Sequence, residues 1–174
     1  MNEQQLNKPL LVIDTNVVLD LLHFDDAVAR PLRLALEAGR VRCVVTAATL
    51  DEWRRVLGYP EFVLDAAQQA ALVARYQALS ERAEDGEAAA GLPHKGTPIH
   101  YGLLSTPGGK PVWSRMPRCS DPDDQKFIEL AAATHAQGLV SKDRAVLKLR
   151  RRCAPHYRIM TPAETVRWLD TLPA

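Results

Sequence analysis

The sequence predicts an α/β fold in which a central, mainly parallel sheet is covered by helices on both faces. Three observations lead there. Short apolar, β-branched runs recur along the chain, and helical patterns of about a dozen residues separate them, as βαβ units require. The first run, Lys8 to Asp14 (KPLLVID), is apolar from Pro9 to Ile13 before it ends in an acid, as expected of a strand buried on both faces. A length of 174 residues, with 47% hydrophobic and 25% charged residues, suits one ordinary globular domain.

Taken in order, Asp25 and Asp26 are placed to cap a helix with Val28, Leu32, Ala35 and Leu36 on its apolar face, ending near Gly39. Val41 to Val45 is the second β-branched run. Thr46 opens a helix with Leu50, Trp53 and Leu57 on one face, stopped by Gly58 and Pro60. An Ala/Gln-rich pattern then predicts one long helix from about Glu61 to Ala83. Between 84 and 121 the pattern dissolves into a Pro/Gly-rich stretch, GLPHKGTPIHYGLLSTPGGKPVWSRMP. It reads as an insertion into a single domain spanning 1–174, with a hairpin expected around Ile99–Leu104 and Val112–Ser114. Periodicity returns at Asp124, Phe127, Ile128, Ala131 and His135, with His135 expected in the core. The strand GLVS follows at 138–141, then a basic helix around 144–151 and the strand HYRIM. Finally TPAE forms a capping box with Pro162 at the first helical position.

Composition removes several classes of function. A net charge of +1, from 22 basic and 21 acidic residues, gives no global field toward nucleic acid or membrane, so any such contact is local. The apolar runs fall far short of the roughly 20 residues a membrane span needs, and MNEQQLNKPL lacks the form of a signal peptide. Three cysteines without CxxC spacing, Cys43 among them in VRCVV, suit a cytoplasmic chain without disulfides. No GxSxG, Walker A or GxGxxG motif occurs, and the five histidines lack zinc spacing.

The acids are more informative. In a parallel sheet, sites form beyond the carboxyl ends of the strands. Asp14 ends the first strand, and Asp143 follows GLVS in the same way. Asp124 heads the apolar stripe of its helix, and Glu52 flanks the apolar face of the helix after the second strand. Singly, each also suits a cap or a solvated face, and Asp121 or Asp123 is expected to cap the helix that follows. Jointly they would be costly crowding of like charge unless a cation lay among them, and such oxygen ligands suit Mg²⁺ or Mn²⁺ better than zinc.

With these residues in view, VIDTNVVLDLL, TAATLDEWRRVL, DPDDQKFIELAAATHAQGLVSKDRAVLKL and RIMTPAETVRWL resemble the PIN-domain ribonucleases. They are most similar to the bacterial branch that forms the toxin component of toxin–antitoxin pairs, related to VapC toxins. The resemblance implies a PIN-like three-layer α/β/α sandwich. It implies a catalytic and metal-binding quartet of Asp14, Glu52, Asp124 and Asp143, with Asn16, Ser141 and Asp121 in support. Ser141 stands where Thr is more usual. The implied activity is hydrolysis of RNA phosphodiesters assisted by Mg²⁺ or Mn²⁺, and the implied partners are RNA, a cognate antitoxin and a second copy of the chain.

Lys142, Arg144, Lys148, Arg150, Arg151 and Arg152 form one dense basic cluster beside Asp143, which Arg54 and Arg55 extend. It reads either as a solvated helix face or as a phosphate track leading RNA to the acids. Two other functional readings stay open. One is a PIN scaffold with a lapsed site that binds RNA or antitoxin. The other is a phosphotransferase of the haloacid-dehalogenase type, whose chemistry needs an Asp where Asn16 stands.

Overall fold

The computed structural model describes residues 8–83 and 116–172. Its centre is a five-stranded sheet in the order β3-β2-β1-β4-β5 with every pairing parallel. The strands are β1 (Leu10–Ile13), β2 (Arg42–Val45), β3 (Glu81–Arg82), β4 (Gly138–Val140) and β5 (Arg158–Met160). Eight α-helices occur among the described residues: α1 (Thr15–Leu22), α2 (Arg30–Glu37), α3 (Ala47–Leu57), α4 (Ala66–Ala78), α5 (Gln125–Ala133), α6 (Arg144–Leu147), α7 (Arg150–Cys153) and α8 (Pro162–Leu169).

Strand residues alternate between two cores, which makes the three layers. Leu11, Ile13, Cys43, Val45, Val140 and Met160 face the layer of α1, α2, α3, α4 and α8, where Trp53 and Leu57 are buried. Val12, Val44, Leu139 and Ile159 face α5, α6 and α7, against Phe127, Ile128, Ala131 and Val146. The central strand β1 pairs Leu11 with Cys43 on one side and with Gly138 on the other. Gly138 lets the neighbours close in: a Cβ would lie 2.7 Å from the end of the Met160 side chain and 3.1 Å from that of Leu11, so both would have to shift to admit one. Edge strand β3 is fastened by Arg42, whose guanidinium donates twice to Glu81 at 2.6 Å.

The expected caps at Thr46 and Thr161 are present, each as a reciprocal capping box. Four expectations are corrected. The stretch 61–83 is not one helix: a 3₁₀ turn over Pro60–Phe62 ends at Val63 in the left-handed region, α4 starts afresh on an Asp65–Gln68 capping box, and β3 follows. The basic segment is not one helix but the two short helices α6 and α7. The helix expected after Asp25 and Asp26 begins only at Arg30, since Asp26 caps a preceding turn through the N–H groups of Val28 and Ala29. His135 is not a core residue; it is exposed just past the end of α5, with φ +52°. The hairpin expected near 99–114 lies outside the described residues, and 116–121 form neither helix nor strand.

Candidate active site

Asp14 continues the β1 ladder, its N–H donating to the Val140 carbonyl at 2.9 Å, and then caps α1. The strand end thus delivers the carboxyl beside β4 while almost wholly buried, at 2% exposure. Burial pushes its pKa upward, and hydrogen bonds from Ser141 and Asn16 pull it partly back. Ser141 Oγ donates to Oδ2 at 2.5 Å, Asn16 Nδ2 donates to the same oxygen at 2.9 Å, and the Asn16 N–H reaches Oδ1 at 3.3 Å. These bonds, the two from side chains being short, offset part of the cost of burying the carboxylate.

Ser141 ties the two strand ends together. While donating to Asp14 it accepts the Asp143 N–H at 3.0 Å, and Asn16 Oδ1 accepts the Lys142 N–H at 3.3 Å. Asp143 is half-buried and caps α6 through the Ala145 N–H at 2.5 Å. Both strand-end acids therefore cap helices and also face one polar corner.

Asp124 stands at the N-cap position of α5 but makes no capping hydrogen bond with its side chain. Partial burial first, then the negative fields of Asp14, Asp143, Asp121 and Glu52, push its pKa up to about 7. Asp121 is exposed and accepts the Asp123 N–H at 2.9 Å, closing the turn before the helix. Glu52 comes from α3, and its buried Oε2 faces the Lys126 ammonium as an ion pair.

The profile of the PIN domain matches residues 10–145, from the start of β1 through Asp143. The chain belongs to the PIN-domain family. Neither a curated protein nor a solved structure matches it. PIN domains are generally nucleases that use divalent metals.

The PIN-domain acids present a donor set of oxygens alone, which fits a hard divalent cation. Asp124, ringed by like charge and without a hydrogen-bonded cap, is the member such an ion would relieve most. Among the described residues, however, no group of three or more His, Cys, Asp and Glu side chains is arranged to hold an ion. Three of the acids already have partners: Asp14 is engaged by Ser141 and Asn16, Asp143 by the backbone of α6, and Glu52 by Lys126.

The basic residues of this PIN domain divide into two groups. Lys142 pairs with Asp20 at 2.6 Å, Arg54 with Asp51 at 2.7 Å, and Arg150 with Glu164. Arg55, Arg144, Lys148, Arg151 and Arg152 are exposed. Sequence reasoning did not single out Lys126 or Asp20. A signal for Lys126 existed: a cation in the first turn of a helix opposes the macrodipole and calls for a carboxylate elsewhere.

Proposed function

We propose that this PIN domain is a metal-dependent endoribonuclease. The observation that carries the reading is the approach of four carboxyls from β1, α3, α5 and β4 toward one corner of the sheet, close enough for the others to disturb Asp124. In this reading Asp14, Asp124 and Asp143 hold Mg²⁺ or Mn²⁺, and Glu52 binds directly or through water. When bound, such ions supply an acidified water and positive charge for the phosphodiester. The protein's own groups do the placing. Ser141 and Asn16 fix Asp14 and favour its ionised form against burial, and the Asp143 N–H locks the Ser141 hydroxyl in its role. Water adds at phosphorus, the P–O3′ bond breaks, and the products carry 5′-phosphate and 3′-hydroxyl ends. On this reading 84–121 is an insertion into one domain, and the exposed basic residues of α6 and α7 bind RNA phosphates.

The purified protein is expected to cleave RNA with Mg²⁺ or Mn²⁺ and to stop with chelator. Undiminished cleavage in chelator would refute the metal. RNA binding without cleavage in any divalent ion would favour the lapsed scaffold, a reading that gains some support from the engaged carboxylates.

The wider role is the toxin of a bacterial toxin–antitoxin pair, supported by the resemblance of the motifs. Induction should arrest growth, and an antitoxin encoded next to it should relieve the arrest. A homodimer is supported by exposed apolar side chains: Phe24 is 56% and Val63 86% exposed, and the Phe24 and Phe62 rings lie 6.0 Å apart. Light scattering of the purified chain tests it.

A further inference from the structure

We propose that the outer edge of β5 is a docking groove for an acidic peptide segment, bound in extended form as an added strand. The inference goes beyond the nuclease reading and stands without it, since none of the four acids lines the groove.

β5 ends the sheet and pairs only with β4 among the described residues. Alternate residues of a parallel strand direct their backbone groups to opposite sides. The Arg158 N–H donates to the Gln137 carbonyl at 3.1 Å, and the Met160 carbonyl accepts the Ser141 N–H at 3.0 Å, so both residues face β4. Ile159 between them therefore turns its N–H and C=O outward, where no hydrogen bond meets either among the described residues. Ile159 is only 5% exposed, which sets these groups on the floor of a groove rather than on an open rim. Peptide groups so placed are costly unless something from outside meets them.

The groove has a volume of about 520 Å³, within the range of ligand sites, roughly 300–1,000 Å³. Arg150 lines it from α7, and Glu164, Arg167 and Trp168 line it from α8. Arg150 pairs with Glu164, yet its Nε is buried without a hydrogen-bond partner among the described residues. Arg158 and Arg167 are exposed and make no ion pair among the described residues. Three guanidinium groups thus stand against one carboxylate. These features select the occupant. A peptide strand both donates and accepts at Ile159, whereas an RNA phosphate only accepts and leaves the carbonyl unmet. Carboxylates along the strand answer Arg158 and Arg167, and the half-buried Trp168 indole offers an apolar wall to a side chain between them. A second copy paired edge to edge would instead set this surplus of arginine against itself.

A short fluorescein-labelled peptide alternating glutamate with valine, titrated with the full chain and followed by fluorescence anisotropy, tests this. It is expected to bind, and a peptide alternating lysine with valine is not. Arg158→Gln combined with Arg167→Gln is expected to weaken binding about tenfold, while Lys at both positions keeps most of it. The glutamate peptide with N-methylated backbone amides, equal in charge but unable to pair as a strand, is expected to lose binding. Circular dichroism checks the fold of both variants, whose changed side chains are exposed. Failure of the wild type to bind the glutamate peptide overturns the inference. So does equal binding of the N-methylated peptide, or unchanged affinity in the glutamine variant. Single-stranded RNA that binds more tightly than the peptide, and loses as much affinity in that variant, would assign the groove to RNA. A wild-type dimer that the variant dissolves, seen by light scattering, would assign it to a second copy. Either result also overturns the inference.

Discussion

At the carboxyl ends of β1 and β4 the charged side chains are buried, half-buried or paired at close range, whereas from Arg144 to Arg152 most basic side chains reach into solvent. The first group is held by contacts far apart in sequence, Asp14 by Ser141 and Glu52 by Lys126. The second stands on two short helices whose buried contribution comes from Val146 and Cys153, not from the charges. A charge inside a protein is costly and therefore specific, while a charge in water is cheap and interchangeable. The acids should accordingly govern chemistry and stability together, and the basic residues should govern only how strongly a polyanion is held.

The largest effect that would break this contrast lies at the acids. Asp14→Asn and Asp124→Asn are each expected to lower RNA cleavage about a thousandfold or more with the fold retained by circular dichroism. Wild-type turnover in either variant would remove that residue from the site.

A second effect concerns stability without metal. The Asp124 pKa is about 7 in the folded chain and 3.8 in the unfolded one, so the folded state prefers the protonated form. The associated stability is fully present below about pH 4 and is lost as pH rises through 7. Asp124→Asn lacks this loss. Its melting temperature, measured in chelator, should match wild type near pH 4, pull ahead as pH rises and exceed it by about 2–4 °C at pH 8. An advantage that shrinks as pH rises would contradict the crowding of carboxylates.

Smaller consequences follow on the basic side. Replacing Lys148, Arg151 and Arg152 by Gln should flatten the slope of log binding against log salt by about 1.4, if two of the three meet phosphates at about 0.7 each on a single strand. Turnover at saturating RNA should hold. An unchanged slope would make this face merely solvated. The smallest effect belongs to Arg54, whose pair with Asp51 is exposed at both ends. Arg54→Gln should alter stability by only about 0.2–0.5 kcal/mol, read by urea denaturation.

Much of the fold is legible in the residues because local chemistry and tertiary structure agree. The acid-ended run to Asp14 and the Ser141–Asp143 step stand at strand ends, and Thr46 and Thr161 cap as their spacing demands. The failures have separate causes. Helix α1 is buried at Val17, Val18, Leu21 and Leu22, so no polar face marks its period. The break before α4 was written in Asp65 and Gln68, a capping box hidden in an Ala-rich run. Strand β3 is two residues long and is defined by its neighbour β2 and by Arg42. At the site, the positions of the four acids are legible, but their engagement is not: Glu52 and Lys126 meet only because α3 packs near α5.

The bond from Ser141 to Asp14 spans 127 residues of chain. Parallel neighbours of β1 come from both directions, β2 soon after it and β4 only far downstream. A ribosome adding about 5–20 residues per second takes on the order of ten seconds to travel from one of these residues to the other. For most of that interval the nascent chain holds Asp14 and Glu52 but neither Asp143 nor the serine that fixes Asp14. On the nuclease reading, competence would arrive late and all at once, with the docking of β4, and a chain interrupted before that strand would carry only half of the proposed site.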